Sequence, residues 1–80
     1  MLGGNCMQSK RIGKILDDYN CEVAFNWTNK IAFRYYGIRY MIQYKEDTKT
    51  YSFRKYGSTK YICENKKYSE FKNILVAYLE

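Results

Sequence analysis

The spacing of apolar residues changes twice along this chain, and this change constrains the fold more than any other feature. Between Cys21 and Cys63, apolar side chains recur at every second residue in several short stretches, which is the period of a half-buried β-strand. On either side of this region the apolar residues recur at i, i+3, i+4 and i+7, which is the period of a helix. The sequence therefore predicts an α+β domain with an N-terminal helix, an antiparallel meander of four or five strands, and a C-terminal helix. We expect both helices to pack on one face of the sheet, because each has an apolar stripe to bury.

Both predicted helices combine an apolar stripe with a capping residue. The first extends from Ser9 to Tyr19, with Ser9 as its N-cap and Asn20 as the residue that ends it. The second has Ser69 as its N-cap. Its stripe consists of Phe71, Ile74, Leu75, Tyr78 and Leu79.

The register of the first hairpin follows from its apolar faces. A two-residue loop would place the apolar sets of the two strands on opposite faces. A three-residue loop, Thr28-Asn29-Lys30, instead pairs Trp27 with Ile31 and Phe25 with Phe33, and we predict this register.

The later strands follow the same alternation. At Gly37 the alternation skips one residue, which indicates either a tight turn or a bulge in one long strand. After a turn at residues 46–49, Tyr51 and Phe53 should lie opposite Tyr44 and Ile42. Gly57-Ser58 marks another turn, and residues 61–63 a last short strand. The predicted single core contains Trp27, Phe33, Ile42, Phe53, Phe71 and Leu75.

The length of 80 residues allows one domain, 1–80, in which we expect residues 1–7 to form a flexible lead. Neither a secretory signal nor an apolar run of membrane-spanning length is found in the sequence. The three cysteines are odd in number and widely spaced, which suits a reducing compartment. We therefore expect a cytoplasmic protein that does not bind a membrane.

The positive charge is concentrated in one part of the chain. The formal net charge is +6, but the basic and acidic residues of the segment 1–28 cancel, so the whole excess lies in residues 29–80. A localised positive field favours an anionic partner, such as nucleic acid or an acidic protein surface.

Several classes of chemistry have no basis in this sequence. The chain has no His, its cysteines form no Cys-x-x-Cys pair, and no Gly-rich phosphate loop follows a strand. We therefore predict a binding module without enzymatic activity, without a metal and without a cofactor.

The second face of the predicted sheet combines arginine with tyrosine. Arginine pairs with phosphates, and a tyrosine ring stacks on an exposed base. Two lysines just before the last helix add charge near a helix N-terminus, which favours anions. The same residue types also suit an ordinary solvent-facing sheet surface. The candidate binding residues are Arg34, Tyr36, Arg39, Arg54, Tyr56, Lys66 and Lys67.

The order of elements, with Lys66-Lys67 before the closing helix, resembles the double-stranded-RNA-binding domain. The resemblance is limited to topology and to this lysine pair. It implies an α-β-β-β-α fold and RNA as a partner. The loop histidine of that family has no counterpart in this sequence, and the sheet predicted for this chain has an extra strand.

A different function is also compatible with the sequence. Ten Lys, ten Tyr and no Pro or His are the bias expected of an AT-rich genome, and short single-domain chains of this kind are common among phage and mobile-element products. The alternative is an anti-CRISPR-like inhibitor that binds a host defence protein or its ribonucleoprotein complex. Tyrosine and arginine are enriched at hot spots of protein interfaces, so the same face would serve this function.

Overall fold

The computed structural model describes the backbone of residues 3–26 and 29–80, and the side chains of residues 10–24 and 29–80. Five antiparallel strands, each paired with its neighbours in the sequence, form one sheet in the order β1-β2-β3-β4-β5. This confirms the α+β class and the meander. The elements are α1 (Gly3–Asp18), β1 (Glu22–Asn26), β2 (Lys30–Tyr35), β3 (Ile38–Lys45), β4 (Thr50–Lys55), β5 (Tyr61–Lys66) and α2 (Tyr68–Leu79).

Helix α1 begins earlier than its apolar stripe. It starts at Gly3, so Ser9 lies inside the helix and is not its N-cap. Met7, Gln8 and Lys10 are strong helix formers and favour an extension through residues 7–10, whereas helix propensity does not account for the first turn at Gly3 and Gly4. The predicted end at Asn20 is confirmed: this residue has φ of 60°, and Cys21 N–H donates to the Leu16 carbonyl at 2.9 Å. This is a Schellman motif, which uses a left-handed residue to satisfy the last carbonyls of a helix.

The first hairpin differs from the predicted register. Val23 pairs with Phe33, whereas Phe25 pairs with Ala32 and not with Phe33. Ala24 is therefore the extra residue of a β-bulge, which shifts the pairing by one position. The last pair toward the loop joins Asn26 to Ile31, so the predicted pairing of Ile31 with the preceding tryptophan is also wrong.

Two predictions fall on residues outside the described part of the chain. The sequence predicts Trp27 in the core and Thr28 in the three-residue loop of the first hairpin. Both lie in the undescribed segment 27–28.

Between β2 and β3 the structure decides the alternative at Gly37 in favour of a tight turn. Tyr35 pairs with Ile38, which leaves a two-residue loop, and both loop residues have positive φ, 51° at Tyr36 and 78° at Gly37. Positive φ at both positions defines the type I′ turn, whose twist matches that of the flanking strands.

The hairpin of β3 and β4 agrees with the prediction at each position tested. Tyr44 pairs with Tyr51 and Ile42 with Phe53, across a turn at residues 46–49. Aromatic pairs of this kind stabilise neighbouring strands through side-chain contact. The Tyr44 and Tyr51 ring centroids are 4.8 Å apart.

Helix α2 also begins before its predicted cap. Its N-cap is Lys67, which makes no side-chain capping bond, so Ser69 lies in the first turn. The Phe71 N–H already donates to the Lys67 carbonyl at 2.9 Å. The early start places the Tyr68 ring 5.7 Å from that of Tyr51. A side-chain capping bond would stabilise the helix by about 1 kcal/mol, and this aromatic contact stabilises the helix start in its place.

One cluster of buried side chains forms the core and draws on both helices. It contains five of the six predicted core residues, and the sixth is Trp27. Whether both helices cover the same sheet face stays a prediction. The cluster consists of Ile12, Leu16, Cys21, Ile31, Phe33, Tyr40, Ile42, Tyr51, Phe53, Cys63, Phe71, Leu75 and Leu79.

Candidate functional site

Three arginines from three neighbouring strands share one side of the sheet, which we call the arginine face. Arg34 of β2 pairs directly with Arg39 of β3, and Arg54 of β4 pairs with Met41 of β3. Cross-strand partners point to the same side, as do residues two apart on one strand. The register therefore aligns Arg34, Arg39 and Arg54 on one face, as the sequence predicted for this part of the chain.

Two of these arginines line a concave site of about 450 Å³, which we call the arginine pocket. Tyr56 reaches the pocket because its N–H donates to the Arg39 carbonyl at 3.0 Å, which extends the pairing beyond the end of β4. Ala32 is 7% exposed and contributes apolar surface to the lining. The pocket is lined by Glu22, Val23, Ala24, Ala32, Phe33, Arg34, Arg39 and Tyr56.

The direct pairing of Arg34 with Arg39 is electrostatically unfavourable, because like charges opposite each other destabilise a strand pair. Glu22 relieves part of this repulsion: its Oε1 lies 3.2 Å from Arg34 Nε. Both side chains are more than half exposed, at 51% and 75%, so this ion pair contributes little to stability. The pocket therefore keeps an excess of positive charge.

Arg54 is more constrained than the other two arginines. Its Nη1 donates to the Ser58 carbonyl at 3.1 Å, and its Cζ lies 5.9 Å from the centre of the Tyr61 ring. The side chain is half-buried and does not line the arginine pocket. A guanidinium has five N–H donors, so Arg54 keeps donors for a ligand while it orders the turn before β5.

Of three exposed tyrosines, Tyr56 lines the arginine pocket and Tyr61 lies beside Arg54, whereas Tyr36 does neither. Tyr36 is 88% exposed in the turn between β2 and β3, with its ring centroid 4.5 Å from that of Tyr35. Tyr56 is 54% exposed and Tyr61 is 40% exposed. Sequence reasoning did not assign Tyr61 to the site, because the irregular pairing of β4 with β5 hides its face. Its pairing with Arg54 is the signal that places it there.

The lysine pair does not join this site. Lys66 pairs with Tyr51 at the beginning of β4, whereas Arg54 lies near the end of that strand. Lys67 Nζ donates to the Thr48 carbonyl at 2.9 Å, in the turn between β3 and β4. The predicted set is therefore divided between the two ends of the sheet, and Lys67 links the β3–β4 turn to the start of α2.

Buried titratable groups show raised pKa values that favour their neutral forms. Burial raises the pKa of Tyr40 to about 12, and the hydroxyl of Tyr78 at 3.1 Å adds to this shift. Burial also raises the pKa of Tyr51 to about 12. The thiols of Cys21 and Cys63 have pKa values raised by burial, so they are poor nucleophiles at neutral pH.

Among the residues that the structure describes, no three His, Cys, Asp or Glu side chains come together as metal ligands would. We therefore assign no residue to a metal or a cofactor. Within the described ranges no helix is both long enough and apolar enough to cross a membrane. Comparison with protein-family models, with curated proteins and with solved structures finds no match for the chain.

Proposed function

We propose that this chain is a small cytoplasmic binding module, without enzymatic activity, that binds nucleic acid through the arginine face. The observation that carries the proposal is the arginine pocket, where Arg34, Arg39 and Tyr56 surround an apolar surface. The two guanidinium groups supply the charge for phosphates, and the ring and the apolar lining suit a base.

The electrostatic cost of the pair formed by Arg34 and Arg39 supports this proposal. Two arginines that face each other lower the stability of the free protein, and one carboxylate only partly compensates them. An anion that binds between the two guanidinium groups would remove their repulsion, which gives a functional reason for the pair. Functional sites commonly retain residues that cost stability in the free protein.

We also propose that both helices pack on the sheet face opposite the arginines, so that the arginine face is open to a partner. The support is the shared core cluster, in which Leu16 of α1 and Leu75 of α2 join Phe33, Ile42 and Phe53. The register places these three strand residues on the side opposite Arg34 and its partners.

The salt dependence of binding tests the proposal. A fluorescein-labelled single strand and a duplex of mixed sequence are titrated with the protein, and anisotropy is read at several salt concentrations. Each arginine that contacts a phosphate should contribute close to one unit of log–log slope. Arg34→Ala and Arg39→Ala should each lower the slope by about one, whereas Lys10→Ala, at an exposed position of α1 outside the arginine pocket, should leave it unchanged. Absence of binding at low salt, where this attraction is strongest, would rule out the proposal.

Tyrosine variants distinguish single strands from duplexes. Tyr36→Ala or Tyr56→Ala should weaken binding to the single strand by about 1–3 kcal/mol and affect the duplex less, because only an unstacked base offers its face to a ring. Tyr56→Phe is the matched control, since it keeps the ring and should keep the affinity. Equal losses for single strand and duplex would exclude base stacking.

The competing function is inhibition of a host defence protein or of its ribonucleoprotein complex. Arg34, Arg39 and Tyr56 would then anchor a protein interface, since these residue types dominate hot spots. Affinity capture from a lysate with and without nuclease separates the two functions. A specific protein partner that survives nuclease treatment and is lost on Tyr56→Ala would favour inhibition.

A further inference from the structure

A second concave surface lies between the two helices, away from the arginine pocket. It measures about 460 Å³ and we call it the interhelical groove. Residues spaced at i, i+3, i+4 and i+7 on α1 form one wall, and residues at i, i+4 and i+8 on α2 form the other. The groove is lined by Arg11, Lys14, Ile15, Asp18, Tyr19, Tyr68, Lys72 and Val76.

The helices run in the same direction along this groove. The Arg11 Cζ lies 5.5 Å from the centre of the Tyr68 ring, at the beginning of α2. Tyr19, just after the end of α1, donates its hydroxyl to Glu80 Oε2 at 3.1 Å, just after the end of α2. These two contacts mark the two ends of the groove.

Apolar surface in the groove is left over from the core. Ile12 and Leu16 of α1 and Leu75 of α2 are buried in the core cluster. The groove residues lie on the neighbouring stripes of the same helices, and the apolar ones among them are only half-buried: Ile15, Tyr19, Tyr68 and Val76.

Three cationic side chains and one carboxylate line this groove, and the Glu80 carboxylate bonded to Tyr19 lies at one end of it. Arg11, Lys14 and Lys72 are exposed, and Asp18 is the single acidic residue among the lining residues. Within the set of side chains that the structure describes, none of these three cations forms a salt bridge. Three unneutralised cations beside apolar side chains complement a ligand that carries both carboxylates and apolar groups.

We propose that the interhelical groove binds an acidic amphipathic peptide segment of a partner protein. The apolar side chains of the segment would pack on Ile15, Tyr68 and Val76, and its carboxylates would face Arg11, Lys14 and Lys72. A concave site between two helices suits a peptide with apolar anchors at helical spacing. Nucleic acid and an anionic bilayer share the negative charge of such a peptide. The aliphatic side chains Ile15 and Val76 offer a base no ring on which to stack, and a bilayer does not fit a concave site.

The probe is a fluorescein-labelled peptide of about 15 residues with Leu at i, i+3, i+4 and i+7 and Glu at the other positions. The comparison peptide has Lys at each Glu position. Anisotropy titrations with the full chain should show saturable binding of the acidic peptide alone. Equal binding of both peptides, or of neither, would overturn the proposal.

Variants locate the site. Lys72→Glu and Val76→Asp should each weaken the acidic peptide by about tenfold, which corresponds to about 1.4 kcal/mol. Lys60→Glu makes the same charge change in the loop before β5 and should leave affinity within about twofold. Thermal unfolding of each variant checks that it is folded. If Lys60→Glu weakens the peptide as much as Lys72→Glu does, the attraction is general and the groove is not its site.

Competition decides between the possible anionic ligands. A single-stranded oligonucleotide or phosphatidylserine vesicles that displace the peptide, and that also lose affinity on Val76→Asp, would replace the peptide as the ligand of the groove. Arg39→Ala should weaken the oligonucleotide and spare the peptide, so failure at one surface is distinguishable from failure at the other.

Discussion

Arg39→Gln should stabilise the free protein while it weakens nucleic-acid binding. Arg39 faces Arg34 in the β2–β3 register, and Glu22 forms its ion pair with Arg34. Opposite charges that face each other on neighbouring strands contribute about 0.2–1 kcal/mol, and like charges are destabilising. We take the repulsion to be of the same size, and the substitution removes it without breaking the ion pair. For a domain of this size the gain corresponds to an increase in Tm of about 1–6 °C.

The assay is thermal or urea unfolding followed by circular dichroism at low and at high salt. The gain should shrink at high salt, because exposed charges are then screened. Lys60→Gln removes the same single positive charge away from the strand pair, and should change stability by less than about 0.5 kcal/mol.

A double-mutant cycle isolates the pair. Arg34→Gln relieves the same repulsion but loses the ion pair with Glu22, so its net effect should be smaller than that of Arg39→Gln. The stability gained by the double variant should be smaller than the sum of the two single changes in stability, because the one repulsion can be removed only once. The difference measures the coupling between the two positions. A destabilised Arg39→Gln protein, or an equal gain for Lys60→Gln, would refute the idea that this pair stores unfavourable energy.

Three further predictions, with four substitutions, test the fold. Leu75→Ala, at a side chain that is 0% exposed, should lower the free energy of unfolding by about 2–5 kcal/mol in urea titrations, a large fraction of the stability of a domain this small. Burial raises the pKa of Tyr40 from 10.0 to about 12 in the folded state, so the neutral phenol stabilises the fold below pH 10, and this stability is lost as the pH rises from 10 to 12. Tyr40→Phe should reduce this loss, measured by urea unfolding across that pH range. An unchanged pH profile would contradict burial as the cause. Gly13→Ala should stabilise α1 by about 0.5–1 kcal/mol, since a Cβ there meets nothing within 4 Å, whereas Gly37→Ala at φ of 78° should destabilise the turn; unfolding curves that show the same sign for both would contradict this account.

The sequence was most informative where strand pairing follows from alternation alone. The pairs Ile42–Phe53 and Tyr44–Tyr51 were predictable because a one-residue slip would expose their apolar side chains to water. The bulge at Ala24 was not predictable, because Val23 and Phe25 continue the apolar alternation without a break in the sequence. In the structure the bulge pairs them with Phe33 and Ala32, which lie on opposite faces of β2. The helix starts were missed for a related reason: the apolar stripe shows where a helix packs, not where its backbone begins.

The candidate site was predictable in its arginines and not in its extent. Arg34 and Arg39 follow from the tight hairpin, in which their separation along the chain fixes their pairing. Lys66 and Lys67 appeared to belong with them only because charge was considered without position along the strands. The carboxylate of Glu22 was missed as a partner of Arg34, because the bulge that follows it determines which residues face each other.

The irregular pairings of the sheet occur at its two borders. The register shifts lie between β1 and β2 and between β4 and β5, whereas β2–β3 and β3–β4 pair without interruption in the described residues. Because β1 and β5 are the edge strands, each shift disturbs a row of unpaired backbone N–H and C=O groups. Without the shift, a strand of another molecule could pair with these groups and extend the sheet. Removing a bulge, for example by deleting Ala24, would give a straighter edge strand. We expect such a protein to aggregate at concentrations at which the parent chain stays dispersed.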